Sequence, residues 1–282
     1  MRRWASALAL ASVLAVVSPA DAAINLNSDF VPDPGRMELL TYGYYSPYTL
    51  RVLNGAVYSA NPVGSAYHWF EAWNSFEVGL LPDTSLTILA PFDLTQSFDG
   101  SDRYTGLTDL SVALGRKLWS NDLGGLKARL RVNAPVGPLG SEAHSVGLDT
   151  MLSQAIIPEV LTATANFNYR YSLHQTVRDE ETLLPHTSWA GHVAELSLGV
   201  DYAMSPSFDL VFEVLGQFEG RAESDRKPDP ASGAMVLTLA PGLNWKFNDQ
   251  FSLQASLLAP VLRGGYQDSY SFGGLAGICL DF

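Results

Sequence analysis

Apolar and polar residues alternate with a period of two along most of this chain. The longest uninterrupted example is residues 161–173, where Leu, Ala, Phe and Tyr at odd positions alternate with Thr, Asn, Arg and Ser at even positions. Soluble strands average about 5 to 6 residues, whereas a tilted strand that crosses a bilayer needs about 9 to 11. Since a strand puts successive side chains on opposite faces, this stretch predicts a membrane-barrel strand with one face towards lipid and the other towards a lumen.

The same period recurs in twelve stretches, separated by connections that alternate between short and long. The predicted strands are 37–46, 67–80, 85–95, 107–119, 126–136, 145–157, 160–173, 191–204, 208–218, 233–247, 251–263 and 271–282. Turn-forming residues fill the short connections, such as 81–84 and 205–207, while 47–66 and 174–190 are long. Outer-membrane barrels have short periplasmic turns and long outer loops. We therefore predict an all-β, antiparallel, up-and-down transmembrane barrel of about twelve strands, with both termini in the periplasm.

The amino terminus predicts export from the cytoplasm. Arg2 and Arg3 precede an apolar run over residues 4–17, and Ala20-Asp21-Ala22 forms an Ala-x-Ala cleavage motif. We expect a cleaved signal peptide at 1–22, a short periplasmic segment at 23–35, and an outer-membrane barrel at 36–282. No later apolar run reaches the roughly 18 to 20 residues of a membrane helix, so a membrane protein of this sequence would have to span as a closed barrel. A soluble, exported β protein is the alternative.

The composition of the chain limits the classes of molecule that it could bind. The chain has 17 basic and 29 acidic residues, and removing residues 1–22 leaves 15 and 28, a net charge of −13. This acidic excess argues against a nucleic-acid partner. Cys279 is the single cysteine, so the chain cannot form an internal disulfide.

The predicted lumen face separates charges of opposite sign. The candidate lumen-lining residues are Lys117, Lys127, Arg129, Arg131 and Arg170 on one wall, Glu195, Asp201, Asp209 and Glu213 on another, and the aromatic residues Trp69 and Trp73. Opposed walls would create a transverse field that orients polar solutes. Alternatively, these residues form salt bridges that fill and stiffen the barrel. The two tryptophans would offer a stacking surface to a planar ligand.

The carboxyl terminus carries a further signal. Phe282 follows Leu280 and Ile278 on one strand face. This pattern resembles the terminal signature of bacterial outer-membrane proteins that the barrel-assembly machinery reads. The predicted partners are therefore outer-membrane lipid, that machinery and a small-molecule solute.

Three central segments resemble a known family. They are GLTDLSVALGRKLW at 106–119, LKARLRVNAPVGPLG at 126–140 and VGLDTMLSQAI at 146–156. They are similar to hairpins of the family named for the MetA pathway of phenol degradation, and the similarity extends over roughly residues 36–282. Residues 134–137, Ala-Pro-Val-Gly, depart from the Pro-Thr-Gly-like strand end of that family. The resemblance implies an outer-membrane transporter or channel connected with uptake of aromatic compounds.

We therefore expect a passive channel of the bacterial outer membrane for small, aromatic or hydrophobic solutes. An outer-membrane lipid hydrolase and a structural barrel without transport are the alternatives. The five histidines show no recognisable Ser, His and acid spacing, so we expect no enzyme and assign no catalytic residue. Nor does the sequence indicate a cofactor or a metal site.

Overall fold

Twelve long antiparallel strands form one closed barrel. The computed structural model describes residues 31–53, 56–59, 67–97, 103–136, 143–178, 185–230, 232–248, 250–270 and 272–282. The barrel strands are β1 Met37–Leu53, β2 Tyr67–Leu81, β3 Thr84–Ser97, β4 Asp109–Asn121, β5 Gly124–Pro135, β6 Ser145–Ile157, β7 Leu161–Ser172, β8 His192–Ser205, β9 Phe208–Glu219, β10 Ala234–Asn248, β11 Phe251–Tyr270 and β12 Gly273–Asp281. Each strand pairs with the next, and β12 pairs with β1 from Glu38 opposite Asp281 to Tyr45 opposite Gly274. The predicted fold class is confirmed.

One end of the barrel carries only short connections. Two or three residues join β2 to β3, β4 to β5, β6 to β7, and β8 to β9, and Asp83 and Glu159 take positive φ angles of 61° and 62° in two of these turns. β1 begins and β12 ends at this same end, which we call the short-turn end. The opposite, long-loop end carries the longer connections. Which end faces the periplasm stays a prediction.

The barrel has an apolar outside and a polar inside, as β5 illustrates. The basic residues Lys127, Arg129 and Arg131 are buried. The neighbouring apolar residues Leu130 and Val132 are 68% and 55% exposed. A soluble protein would bury the leucine and expose the lysine. Exposed large apolar residues recur on every barrel strand, so the outer surface suits lipid. Within the described residues, no helix is long and apolar enough to span a membrane.

Two strands extend beyond their predicted ends. β1 continues to Leu53 and β11 to Tyr270, where they pair with each other beyond the first residue of β12. A third irregularity lies in β3 at Pro91, which has no N–H to donate. Up to Leu89 the strand pairs with β4, and from Phe92 it pairs with Arg103–Leu107 instead.

A small sheet forms at the long-loop end. The strands Gln175–Arg178, Pro185–Trp189, Glu223–Ser224 and Lys227–Pro228 pair in that order. The predicted long loop at 174–190 and the connection between β9 and β10 therefore contain hairpins that join each other through Ser188 and Trp189. Residues 179–184 lie outside the described residues.

Candidate functional site: the barrel interior

The predicted lumen residues all occupy inward-facing positions of their strands. Lys127, Arg129, Arg131, Asp209, Glu213, Trp69 and Trp73 are buried, and Lys117, Arg170, Glu195 and Asp201 are half-buried. Their immediate neighbours in sequence are on the outer face and more exposed. The period of two thus identified the face on which these side chains lie.

The basic residues of β5 form a cluster of ion pairs. Lys127 Nζ lies 2.6 Å from Glu77 Oε1 of β2. Arg129 Nε and Arg131 Nη2 donate to the two carboxylate oxygens of Asp149 in β6, at 3.2 and 3.1 Å. Asp149 has no exposed surface. Neither Glu77 nor Asp149 was among the predicted lumen residues, although both share the inward parity of their strands.

Small residues beneath this cluster explain how Lys127 reaches β2. β3 and β4 lie between β5 and β2, and the inner face there carries Ser85, Ala113 and Gly115. A Cβ atom at Gly115 would lie 3.2 Å from Arg129 Cγ and 3.3 Å from Lys127 Cε. These distances place the long side chains directly on the backbone of β4. The Lys127 and Arg129 side chains therefore extend along the barrel wall.

The acidic wall pairs with its own neighbours. Asp209 Oδ2 of β9 lies 2.7 Å from Lys246 Nζ and accepts from Asn244 Nδ2 at 3.3 Å, both in β10. Glu195 accepts from Asn168 of β7 at 3.4 Å. The basic cluster thus pairs with β2 and β6, and Asp209 pairs with β10. This geometry favours the salt-bridge interpretation for the residues involved.

Carboxylates outnumber bases on the inner face. Among the described residues, twelve acids and seven bases face inward. The acids are Glu38, Glu71, Glu77, Asp93, Asp109, Asp149, Glu195, Asp201, Asp209, Glu213, Glu219 and Asp281. The bases are Lys117, Lys127, Arg129, Arg131, Arg170, Lys246 and Arg263. If all of these groups are ionised, the interior carries an excess of five negative charges, which would attract cations.

An aromatic wall covers the inner face of β1 and β2. Tyr42 stacks on Trp73 with ring centres 5.8 Å apart, and Tyr48 stacks on Tyr67 at 4.9 Å. Between them, Tyr44 meets Trp69 edge-on at 5.2 Å. We call these six residues the aromatic wall. The two tryptophans were among the predicted lumen-lining residues, whereas the four tyrosines were not. Three of these tyrosines lie at even-numbered positions of β1, which face inward.

Aliphatic residues continue this wall around the barrel. Val211 and Leu215 of β9, Ala240 of β10, Leu258 of β11 and Leu275 of β12 are buried in one cluster with the aromatic residues. The inner face is therefore divided. The apolar cluster runs from β9 through β12 to β2 and is interrupted by the buried carboxylates Glu71 and Glu213, whereas β5 and β6 carry the ion pairs.

On the outer face, the histidine contacts are aromatic. Tyr45 hydroxyl hydrogen-bonds His68 Nδ1 at 2.8 Å, and the His192 ring lies 5.8 Å from that of Phe218. Neither contact supplies a serine nucleophile. Asn74 is exposed on the outer face of β2, and its Oδ1 accepts a hydrogen bond from Thr41 Oγ1 at 3.1 Å. The inward assignment of Trp69 and Trp73 follows.

The proposed assembly residues lie on the outer face of β12. Phe282 is 60% exposed, Ile278 is 39% exposed and Leu280 is half-buried. The Phe282 N–H and carbonyl both bond to Met37, which joins the last residue to the start of β1. Recognition of these residues by the assembly machinery stays a prediction.

Among the described residues, one group of side chains could hold a metal ion. Barrel closure brings Glu38 of β1 onto Cys279 and Asp281 of β12, with potential ligand atoms all within 4.8 Å of one another. The sequence gives no sign of this group because Glu38 lies at the opposite end of the chain.

These features define an outer-membrane β-barrel. No protein-family model and no curated protein matches the chain. In fold it is similar to an outer membrane channel from Pseudomonas putida F1, with a TM-score of 0.76 and 17% identity, covering 94% of this chain and 100% of that one. It is also similar in fold to the NanC porin, with a TM-score of 0.54 and 11% sequence identity, covering 87% of this chain and 100% of that one. A third similar fold is the β domain of the Bordetella autotransporter BrkA, with a TM-score of 0.51 and 11% sequence identity, covering 89% of this chain and 100% of that one. At such identities the likeness is one of fold.

Proposed function

We propose that this protein is a passive channel of the bacterial outer membrane, and that its preferred solutes are small, ring-bearing molecules. The observation that carries the proposal is the divided inner face, which sets the aromatic wall beside a polar, charged wall. The resemblance of residues 106–156 to the phenol-degradation family supports membership of that family, as does the fold of the Pseudomonas channel.

The aromatic wall would suit transient binding of a planar ring that displaces part of its own packing, because its rings stack on one another and its residues are 9% exposed or less. Aromatic pairs contribute about 0.5–1.5 kcal/mol beyond simple burial of surface. Conduction needs binding that is favourable enough for entry and weak enough for release. A few stacking contacts along β1 and β2 meet both requirements, and the ion pairs opposite keep the rest of the interior polar.

Planar bilayer recordings of the refolded protein test the channel itself. We expect discrete conductance steps, and these should change when Arg129 and Arg131 are replaced by alanine, because the field of the inner wall changes. A correctly folded barrel that shows no steps would refute the channel, and a lipid-hydrolysis assay would then separate an enzyme from a structural barrel.

Ring preference requires a matched pair of solutes. Benzyltrimethylammonium and its cyclohexyl analogue have the same charge and nearly the same size, and reversal potentials with one on each side give their permeability ratio. We expect the aromatic ion to be favoured by about 2- to 10-fold, the equivalent of one stacking contact.

The double variant Trp69→Ala and Trp73→Ala should bring this ratio close to one. Trp245→Ala is the matched control, because Trp245 is an outer-face tryptophan, 47% exposed and stacked on Phe247. An unchanged ratio in the inner-face variant, or an equal loss in the control, would contradict the role of the aromatic wall.

A further inference from the structure

The segment before β1 folds back into the barrel mouth. Gly35 N–H donates to Gly79 O at 2.9 Å, and Gly79 N–H donates to Arg36 O at 3.1 Å. Arg36 N–H in turn bonds Asp33 O at 2.9 Å, which closes a tight turn. Gly79 lies near the end of β2, at an inward-facing, buried position. The residues before β1 are therefore attached to the inner wall at the short-turn end.

The direction of this segment shows where it comes from. Pro34 and Gly79 form a parallel bridge. Because β2 runs towards the short-turn end, the segment also runs in that direction from Val31 to Gly35. Traced backwards from Pro34, the chain leads into the barrel. Val31 is 8% exposed and Pro32 is among the most deeply buried residues of the protein, as expected for residues enclosed by the barrel.

Gly79 provides the space for this segment. A Cβ atom at that position would lie 2.2 Å from both Pro32 O and Asp33 O. No side chain fits there while the segment is in place. Gly79 does not have a positive φ angle, so its backbone conformation is one that other residues adopt. The requirement for glycine at 79 comes from the close approach of the two backbones.

The segment also borders the open part of the mouth. A cavity of about 600 Å³ is lined by Pro32, Arg36, Met37, Asn248, Gln250, Asp281 and Phe282. These residues come from the segment, from the two strands that close the barrel and from the turn between β10 and β11. The segment therefore occupies part of the short-turn mouth and leaves an opening beside it.

We infer that residues 31–36 are a built-in constriction that limits which solutes pass the short-turn end of the pore. The inference rests on the proposed channel function. An extended chain has a cross-section of about 4.8 by 10 Å, which is roughly a third of an opening about 14 Å across, the space that inner side chains would leave in a barrel of this size. Removing it should increase conductance by on the order of 1.5-fold.

Two variants test the constriction in planar bilayers. One is the refolded chain that starts at residue 35 instead of residue 23, which lacks all but the last two residues of the segment. The other is Gly79→Val, which keeps the segment but removes its place on β2. Gly274→Val is the matched control, since its nearest neighbour would be Ser256 O at 3.9 Å, on the outer face. A heat-dependent shift in gel mobility checks that each variant folds.

Labelling gives a second measurement that does not depend on conductance. In a Cys279→Ser background, Val31→Cys should react slowly with a membrane-impermeant maleimide, because Val31 is enclosed. Adding Gly79→Val should accelerate the reaction about tenfold. If the shortened chain fails to fold, Gly79→Val and the labelling rates decide the question.

The possible results separate the inference from the proposed function. Higher conductance in both variants than in a conducting parent, with the control unchanged, supports the constriction. A conducting parent with folded variants of equal conductance, or equal labelling rates, overturns the constriction and leaves the channel intact. Silence in all folded chains overturns the channel and the constriction together.

Discussion

Replacing Asp149 with asparagine should measure how dry the barrel interior is. Asp149 has no exposed surface and accepts hydrogen bonds from Arg129 Nε at 3.2 Å and Arg131 Nη2 at 3.1 Å. Both arginine side chains are 9% exposed. The substitution keeps the shape of the side chain and removes its charge, so two enclosed cations lose their shared counter-ion.

The expected loss follows from the burial of all three groups. Removing one partner of a buried ion pair costs about 3–5 kcal/mol, whereas an exposed pair contributes about 0–1 kcal/mol. Because asparagine can still accept one hydrogen bond, the expected loss of stability lies near the lower end of the range for buried pairs. We expect the free energy of unfolding to fall by about 3 kcal/mol, roughly a 100-fold change in the unfolding equilibrium.

Urea unfolding of the refolded protein in lipid vesicles, followed by tryptophan fluorescence, measures this change. Asp122→Asn is the control, because Asp122 is an exposed turn residue and its replacement should stay within about 0.5 kcal/mol of the parent. The loss at Asp149 should persist in 1 M salt, since enclosed pairs are screened little. A loss below about 1 kcal/mol that disappears with salt would show a wide, water-filled interior at this level and refute the argument from burial.

Four further predictions follow from other parts of the barrel. Asp83→Gly and Glu159→Gly should each stabilise the protein by about 0.5–1 kcal/mol in the same urea assay, because glycine removes the strain of a positive φ; a loss would contradict this. Gly115→Val should push Lys127 off the wall and lower single-channel conductance, and unchanged conductance in a folded variant would show that the wall is not crowded. Reversal potentials in a potassium chloride gradient should indicate preference for cations, in keeping with the acidic interior, and anion preference would refute the charge argument. Deleting Phe282 should reduce the amount of heat-shifted, folded barrel in outer-membrane fractions, and an unaltered amount would exclude its proposed role in assembly.

Strand positions could be predicted because successive side chains of a strand face opposite sides of the barrel wall, which produces the alternation in the sequence. Most inward residues are polar and the outward residues are apolar, so a period of two marks most strands, although inward apolar residues such as Val211, Leu258 and Leu275 interrupt it. β6, for example, has the predicted bounds. The extensions of β1 to Leu53 and β11 to Tyr270 were not predicted from the alternation, since they come from pairing of these two strands with each other beyond the first residue of β12.

Partners inside the barrel were harder to predict than the face on which each residue lies. Parity identifies Lys127 and Glu77 as inward residues, but 50 positions separate them in sequence and two strands separate them in space. Their contact depends on strand order, on register and on the absence of a side chain at Gly115. Similarly, the place of Val31 depends on a single bridge to Gly79, and a segment of six residues has no periodicity that could reveal it.

Burial of charged groups and passage of solutes are compatible here because long inner side chains lie along the wall. Lys127 and Arg129 cover the backbone at Gly115, and Tyr42 covers Gly277, where a Cβ atom would lie 2.7 Å from Tyr42 Cβ. A side chain that lies flat over a glycine is covered by the wall on one side, which is the arrangement that the proposed channel requires of its lining. Residues 31–36 differ in this respect, because they are backbone placed inside the wall rather than side chains flattened against it. The narrowest point of the pathway is therefore expected at the short-turn mouth, where the chain itself enters the barrel.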